Sequence, residues 1–143
     1  MVKFLVPVDG SESSQRVVAD LIKRHTWFKD GVEIHLLNVQ QPIPYGNRVT
    51  EVIGHDRIAQ YHHDEGMAAL KPAMQQLDAV KIPYHHHIGV GEAAEIICKY
   101  ANEKRCDQIY MGTRGMGSVS NLLLGSVATK VIHLATVPVL LVK

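Results

Sequence analysis

The chain has 143 residues, enough for one domain around a single core and too few for two ordinary ones, so one domain over residues 1–143 is expected. Apolar residues make up 46% of it, which excludes a disordered chain, and no apolar run approaches the ~18 residues that a membrane span needs. Fifteen basic and 14 acidic residues leave a formal net charge of +1, which gives no electrostatic case for nucleic acid or a membrane surface as partner.

Val2 to Val8 (VKFLVPV) is nearly all apolar and reads as a strand covered on both faces, as in a parallel sheet. Pro7 lacks the N–H that a central ladder needs, so it belongs at the strand's end. No signal peptide is expected, because the N-terminus goes directly into this pattern. Asp9, Gly10 and Ser11 follow, with Ser11 as N-cap of a helix. That helix turns Val17, Val18, Leu21 and Ile22 inward and Arg16, Asp20 and Lys23 outward.

Asp30-Gly31 is a turn signal, and a second strand is predicted from Glu33 to Val39 (EIHLLNV). Gln41 to Gly54 is a long connection holding two prolines and two glycines. His55 to Ala79 then reads as a helix with Met67, Leu70, Met74 and Leu77 as its apolar stripe. Pro72 is expected to kink or break it near Ala68 to Lys71. A third, weaker strand is predicted from Pro83 to Ile88, and Gly89 to Gly91 turns the chain. Glu92 begins a helix whose inner face is Ala93, Ile96, Ile97, Tyr100 and Ala101. A fourth strand covers Asp107 to Met111, a helix about Leu124 to Leu134, and a fifth strand Pro138 to Val142. Strands alternating with helices give one open, doubly wound α/β sheet, parallel by the crossover rule.

The stretch from Met111 to Val127, MGTRGMGSVSNLLLGSV, lies between the fourth strand and the last helix. Its Gly112, Gly115 and Gly125 let the backbone turn and let an anion approach the amides with no Cβ in the way. The helix opening at Gly125-Ser126 aims unpaired N–H groups and the positive end of its dipole at the same place. Charge-assisted hydrogen bonds contribute roughly 1.5–3 kcal/mol each. Three or four donors therefore approach the ~8 kcal/mol of a micromolar ligand without a lysine, before association costs. The local amides, Thr113 Oγ and Ser126 Oγ are such donors; Arg114 either adds a phosphate contact or is a solvated side chain. Asp9, at the end of the first strand, offers acceptors to a ribose hydroxyl or an adenine amino group, or else makes a local Asx-turn. Ligands in such sheets bind outside the carboxyl ends of the strands where the strand order reverses, so Asp9 and Gly112 face one crevice if the first and fourth strands are neighbours.

Other chemistries find less support. No Gly-Lys pair exists, so a Walker A loop is absent. Gly89-x-Gly91-x-x-Ala94 is a partial dinucleotide fingerprint, but no acid ends the following strand, and it reads as a turn plus a helix cap. His85, His86 and His87 are consecutive in a strand and alternate faces. His62 and His63 diverge on a helix, and His25, His35, His55 and His133 are scattered, so no metal site is expected. Cys98 and Cys106 have no ligand spacing and read as reduced thiols of a cytoplasmic protein. No Ser-His-Asp, Cys-His or HExxH arrangement marks a catalytic residue.

Gly112, Gly115, Gly125 and Ser126 match G-x2-G-x9-G-[S/T] completely. With Val8-Asp-Gly-Ser11 and the closing Pro-Val-Leu-Leu-Val, the whole chain resembles the universal stress protein family of the UspA type. The resemblance implies strand order 3-2-1-4-5 and ATP, with or without Mg2+, or another adenine nucleotide in the crevice. It implies that Pro7, Val8, Asp9 and Val39 meet adenine and ribose. Met111, Gly112, Thr113, Gly115, Gly125, Ser126 and Val127 would then surround ribose and phosphates. It further implies a stress-response sensor with little or no turnover, read by an unknown protein partner, and a homodimer joined through residues 138–142. Two alternatives stay open: a slow ATPase or phosphate-transferring enzyme, and a dimeric interaction module that does not bind ATP.

Overall fold

The computed structural model describes residues 1–43, 51–115 and 123–143. The elements run β1 (Val2–Pro7), α1 (Glu12–Arg24), a short 3-10 turn (His25–Trp27), β2 (Val32–Gln40), α2 (His55–Ala79) and β3 (Tyr84–Val90), then α3 (Ala93–Glu103), β4 (Gln108–Gly112), α4 (Ser126–Leu134) and β5 (Val139–Val142). The five strands form one parallel sheet in the order β3-β2-β1-β4-β5. This is the doubly wound architecture that the alternating pattern predicts, and its ends agree with the sequence reading to within about two residues.

Alternation along the strands divides the core in two. Phe4, Val6, Ile34, Leu36 and Tyr110 pack on α1 and α2, while Leu5, Leu37, Ile109 and Met111 pack on α3 and α4. Phe4 meets Phe28 and Tyr110 edge-to-face, with ring centroids 5.2 and 5.4 Å apart. Asp20, expected to face outward, instead accepts the Tyr110 hydroxyl, because a buried phenol needs a partner and α1 lies over that end of β4.

Two further expectations are corrected. α2 runs unbroken through Pro72, since Leu70, Ala73 and Leu77 are buried on both sides of the proline and hold its turns against the sheet. The inner face of α3 is Ala94, Ile97, Cys98 and Ala101, one notch from the predicted stripe, with Ile96 and Tyr100 only partly covered.

One histidine expected to be scattered, His35, is not. The β2–β3 register pairs His35 with His85 and Leu37 with His87, which puts Glu33, His35, His85 and His87 on one face. The His35 ring stacks on His85 and His87 at centroid distances of 4.7 and 5.1 Å. Its Nδ1 lies 2.8 Å from His87 Nε2, and its Nε2 lies 2.7 Å from Glu33 Oε2. Burial, reinforced by the charges of His35 and Lys104, pushes His87 down to about 4. Bonds from His35 and Lys3 hold the Glu33 carboxyl below its usual range.

Pro7 closes β1, as expected, and its position has a structural consequence. Asp107 N donates to Lys3 O at 2.7 Å, whereas Val8 N donates to Leu37 O at 2.8 Å. Odd-numbered residues of β1 therefore face β4 and even-numbered ones face β2. The N–H that Pro7 lacks is one that would have faced β4. Registered β1–β4 pairs are Phe4–Gln108 and Leu5–Ile109, and beyond them the two strands part. The strand order reverses between these same two strands.

Candidate functional site

Where β1 and β4 part, a cavity of about 770 Å³, counting its open mouth, lies among the carboxyl ends of the strands. Its described lining includes all twelve residues singled out from the sequence: Pro7, Val8, Asp9, Val39, Met111, Gly112, Thr113, Arg114, Gly115, Gly125, Ser126 and Val127. The floor is apolar, from Val8, Leu37, Val39, Ile97 and Met111. Most of the rest of the lining is glycine, small polar side chains, Asp9 and Arg114. Such a division suits a flat apolar group carrying a polar tail.

The β1 side of the rim is set by two side chains. Buried Asn38 donates from Nδ2 to Val8 O at 2.8 Å and accepts from Gln40 Nε2 at 2.6 Å, tying the end of β1 to the end of β2. Asp9 Oδ1 accepts from Ser11 N at 2.9 Å and Ser11 Oγ at 2.5 Å. The Asx-turn weighed from the sequence is thus present. Ser11 Oγ also accepts from Ser14 N at 3.2 Å, so the same hydroxyl caps α1. The second oxygen of Asp9 faces the glycine stretch: a Cβ on Gly115 would overlap Asp9 Oδ2.

The β4 side is closed at its base by Thr113. Its N–H donates to Val142 O at 3.1 Å, and its carbonyl accepts from Gly125 N at 2.6 Å. Gly112 is thereby fixed against β5, and Gly125 against the exit of β4. Gly125 is the N-cap of α4 and brings no side-chain cap, and Ser126 and Val127, the first residues of the helix, line the cavity. The start of α3 behaves differently. Glu92 accepts from Ala94 N and Glu95 N at 3.3 and 2.9 Å, and these bonds hold its carboxyl below the usual range. A carboxylate occupies that helix end, so the cap is as the sequence suggested, but the turn is shorter than expected: Gly89 and Val90 still pair with Val39 and Gln40 in β3, and the chain bends only at Gly91. The part of the 111–127 stretch from 116 to 122 lies outside the described residues, as do residues 44–50 of the long connection.

The sequence reading missed Ser14, Leu37, Ala93, Ile97 and Ala128, which also line the cavity. They belong to α1, β2, α3 and α4; Ala93 and Ile97 already stood on the predicted inner face of α3, but an inward-facing apolar residue carries no signal that it lines a cavity. Among the described residues no helix is long and apolar enough to cross a membrane.

Comparison with known proteins places this geometry. The model of the universal stress protein family matches residues 1–143. Universal stress protein MJ0531 of Methanocaldococcus jannaschii is 31% identical over 141 residues, covering 99% of this chain and 81% of that protein. Among solved structures, MJ0577, described as a structure-based assignment of biochemical function, is similar with a TM-score of 0.79 and 28% identity, over 99% of this chain and 94% of that one. An Arabidopsis thaliana universal stress protein family member with AMP bound has a TM-score of 0.69 and 21% identity, over 100% and 92%. A universal stress protein in complex with cAMP has a TM-score of 0.68 and 23% identity, over 99% and 97%.

Proposed function

The chain belongs to the universal stress protein family, and from that premise we propose that it binds an adenine nucleotide, ATP foremost, and acts as a nucleotide-dependent regulator with little or no turnover. The observation that carries the reading is the pair of strand ends facing each other across one cavity. Asp9, oriented by Ser11, stands on one side; the glycine-capped start of α4, locked to β4 through Thr113, stands on the other. Adenine would lie on the apolar floor near Val39. Asp9 would take a ribose hydroxyl or the adenine amino group. The phosphates would sit against the amides of Gly115, Ser126 and Val127, with the Ser126 and Thr113 hydroxyls and Arg114 at the rim. The neighbours that hold AMP and cAMP support an adenine nucleotide in this fold, and the step to ATP rests on the complete G-x2-G-x9-G-[S/T] spacing and the resemblance it carries.

Support for slow turnover comes from the lining itself. Its carboxylate among the described residues, Asp9, is engaged by Ser11, and its cation, Arg114, stands at the rim. A carboxylate held in an Asx-turn suits an acceptor of ligand hydroxyls better than a general base, and a guanidinium cannot serve as one. Dimerisation belongs to the same proposal. β5 is an edge strand of half-buried apolar residues, flanked by exposed Ile132 and Leu134 on α4, and a second copy paired along residues 138–142 would cover that edge.

The test is the melting temperature with and without ATP, for wild type beside Gly125→Val. Gly125 has φ −75°, which any residue adopts, so valine adds bulk at the start of α4 without backbone strain. Wild type should be stabilised by about 2.7 kcal/mol at a ligand concentration 100 times Kd, and the variant should fold but show no shift. An unshifted wild type, whose heat-denatured supernatant also contains no adenine nucleotide by mass spectrometry, would favour the interaction module instead.

A further inference from the structure

We propose that Glu33, His35 and His85 form a binding site for one borderline transition-metal dication, with zinc as the best match, on the β2–β3 edge of the sheet. Among the described residues this is the cluster in which one ligand atom from each of three such side chains falls within 4.8 Å of the others. The strand register creates it. His35 and His85 are directly paired across β2 and β3, and Glu33 lies two residues earlier on the same face. Four residues separate His35 from Val39 at the cavity, which is about 13 Å along a strand, so the site is distinct from the nucleotide crevice.

The donor set selects the metal. Two imidazole nitrogens and one carboxylate oxygen suit zinc and its neighbours, whereas calcium and magnesium prefer all-oxygen sets. Three protein ligands leave the fourth tetrahedral position to water. A tetrahedral zinc with ligands at about 2.0–2.1 Å keeps those ligand atoms roughly 3.3 Å apart. His35 Nε2 and Glu33 Oε2, now 2.7 Å apart, need to open only slightly, and exposed His85 is free to swing in. The metal takes the place of the proton that His35 Nε2 shares with Glu33; the neutral imidazole keeps its single proton, now on Nδ1, so none is released. The other nitrogen of His35 already has its partner: Nδ1, 2.8 Å from His87 Nε2, donates there once Nε2 is metallated. An outer hydrogen bond of this kind orients a metal-ligating imidazole. Lys3 Nζ, 3.2 Å from Glu33 Oε2, competes for the carboxylate but keeps a second acceptor in Lys104 O at 3.1 Å. Nothing in the nucleotide reading requires this site.

The experiment uses the whole chain, stripped with a chelator and titrated with zinc chloride against a chromophoric competitor. Wild type is expected to take up one equivalent, with a rise in melting temperature. His85→Ala and Glu33→Gln should weaken uptake at least tenfold, and His87→Ala should weaken it about 10–100-fold through the outer bond. His86 is exposed on the opposite face of β3, so His86→Ala should match wild type. Cobalt chloride in place of zinc should give the visible absorption of a tetrahedral N/O site in wild type and lose it in His85→Ala. His85 is exposed, so its loss leaves the fold intact, which circular dichroism would verify. Zinc uptake unchanged in His85→Ala and Glu33→Gln, uptake lost in His86→Ala, or no saturable uptake by wild type would each overturn the proposal.

Discussion

Gly115→Ala is the sharpest perturbation of the crevice, because the structure says what the added methyl meets. The new Cβ would overlap Asp9 Oδ2. One of the two must retreat by roughly 1 Å to restore van der Waals contact. Asp9 is a rotatable side chain, but its other oxygen is held by the N–H and hydroxyl of Ser11 at 2.9 and 2.5 Å. Turning the carboxylate away loosens at least one of those bonds, at about 1–2 kcal/mol for a charged acceptor. For a chain of this length that is a fall in melting temperature of about 3–8 °C, which leaves the protein folded at room temperature. The nucleotide loses more than the fold does. If Asp9 no longer meets the ribose or the adenine amino group, a charge-assisted bond of about 1.5–3 kcal/mol disappears, and Kd rises roughly 10–100-fold.

Isothermal titration with ATP and the ligand-induced melting shift measure the two effects separately. At an ATP concentration that stabilises wild type by about 2.7 kcal/mol, a variant with thirtyfold weaker binding should gain about 0.9 kcal/mol. Unchanged ATP affinity in Gly115→Ala would refute the reasoning, since it would mean that the Asp9–Gly115 contact lies outside the ligand's path. A variant that loses stability as expected yet binds ATP normally would locate the contact in the Asx-turn alone.

Other predictions rest on separate parts of the molecule. Ser11→Ala removes both the α1 cap and a donor to Asp9, so it should lower stability by about 1 kcal/mol in urea unfolding and also weaken ATP binding. Leu70→Ala, beside Pro72 in the buried stripe of α2, should cost about 2–5 kcal/mol; a value near zero would mean that this part of α2 is not packed as described. Stability should fall in alkali. Burial pushes the Cys106 thiol up to about 11, and burial with the bond to Asp20 pushes the Tyr110 phenol up as well. Both folded-state values are raised, so the stability they contribute is fully present below about pH 9 and is lost as pH rises, through Cys106 between about 9 and 11 and through Tyr110 beyond about 10. Urea midpoints should therefore decline from pH 8.5 to 11, less steeply in Tyr110→Phe, and a flat profile would contradict the burial of both groups.

What could be seen in the sequence, and what could not, divides along the range of the interaction. The glycine stretch was legible because its signal is local: a strand, three glycines and a helix start within seventeen residues of chain. Asp9 was legible for the same reason, and its two readings prove compatible, since one oxygen makes the Asx-turn while the other faces Gly115. Pro72 misled because a local penalty of about 3 kcal/mol was set against nothing. In the fold it is set against Leu70, Ala73 and Leu77, each buried on the sheet. The one-notch error in α3 is of the same origin. Helical phase can be read from the chain only to the precision of the apolar pattern, and Cys98, which is buried there, was not counted in that pattern.

The histidine ladder shows the limit most clearly. Within one strand, His85 and His87 share a face and His86 does not, and this much the alternation does say. That His35 joins them depends on β2 meeting β3 with Ile34 opposite Tyr84, a register set by two apolar faces finding their helices. Slipping the pairing by one residue would send His85 and His87 to the α2 side and leave Glu33 with His35 alone. Any chemistry of that cluster is therefore a property of the sheet rather than of a motif. The crevice, by contrast, lies where the registered pairing of β1 with β4 ends and the strand order reverses, and Asp9 and the glycines that line it sit in two short stretches of chain. The first kind of site needs the fold before it can be recognised. The second can be recognised first, because the residues that mark it are close neighbours in the chain.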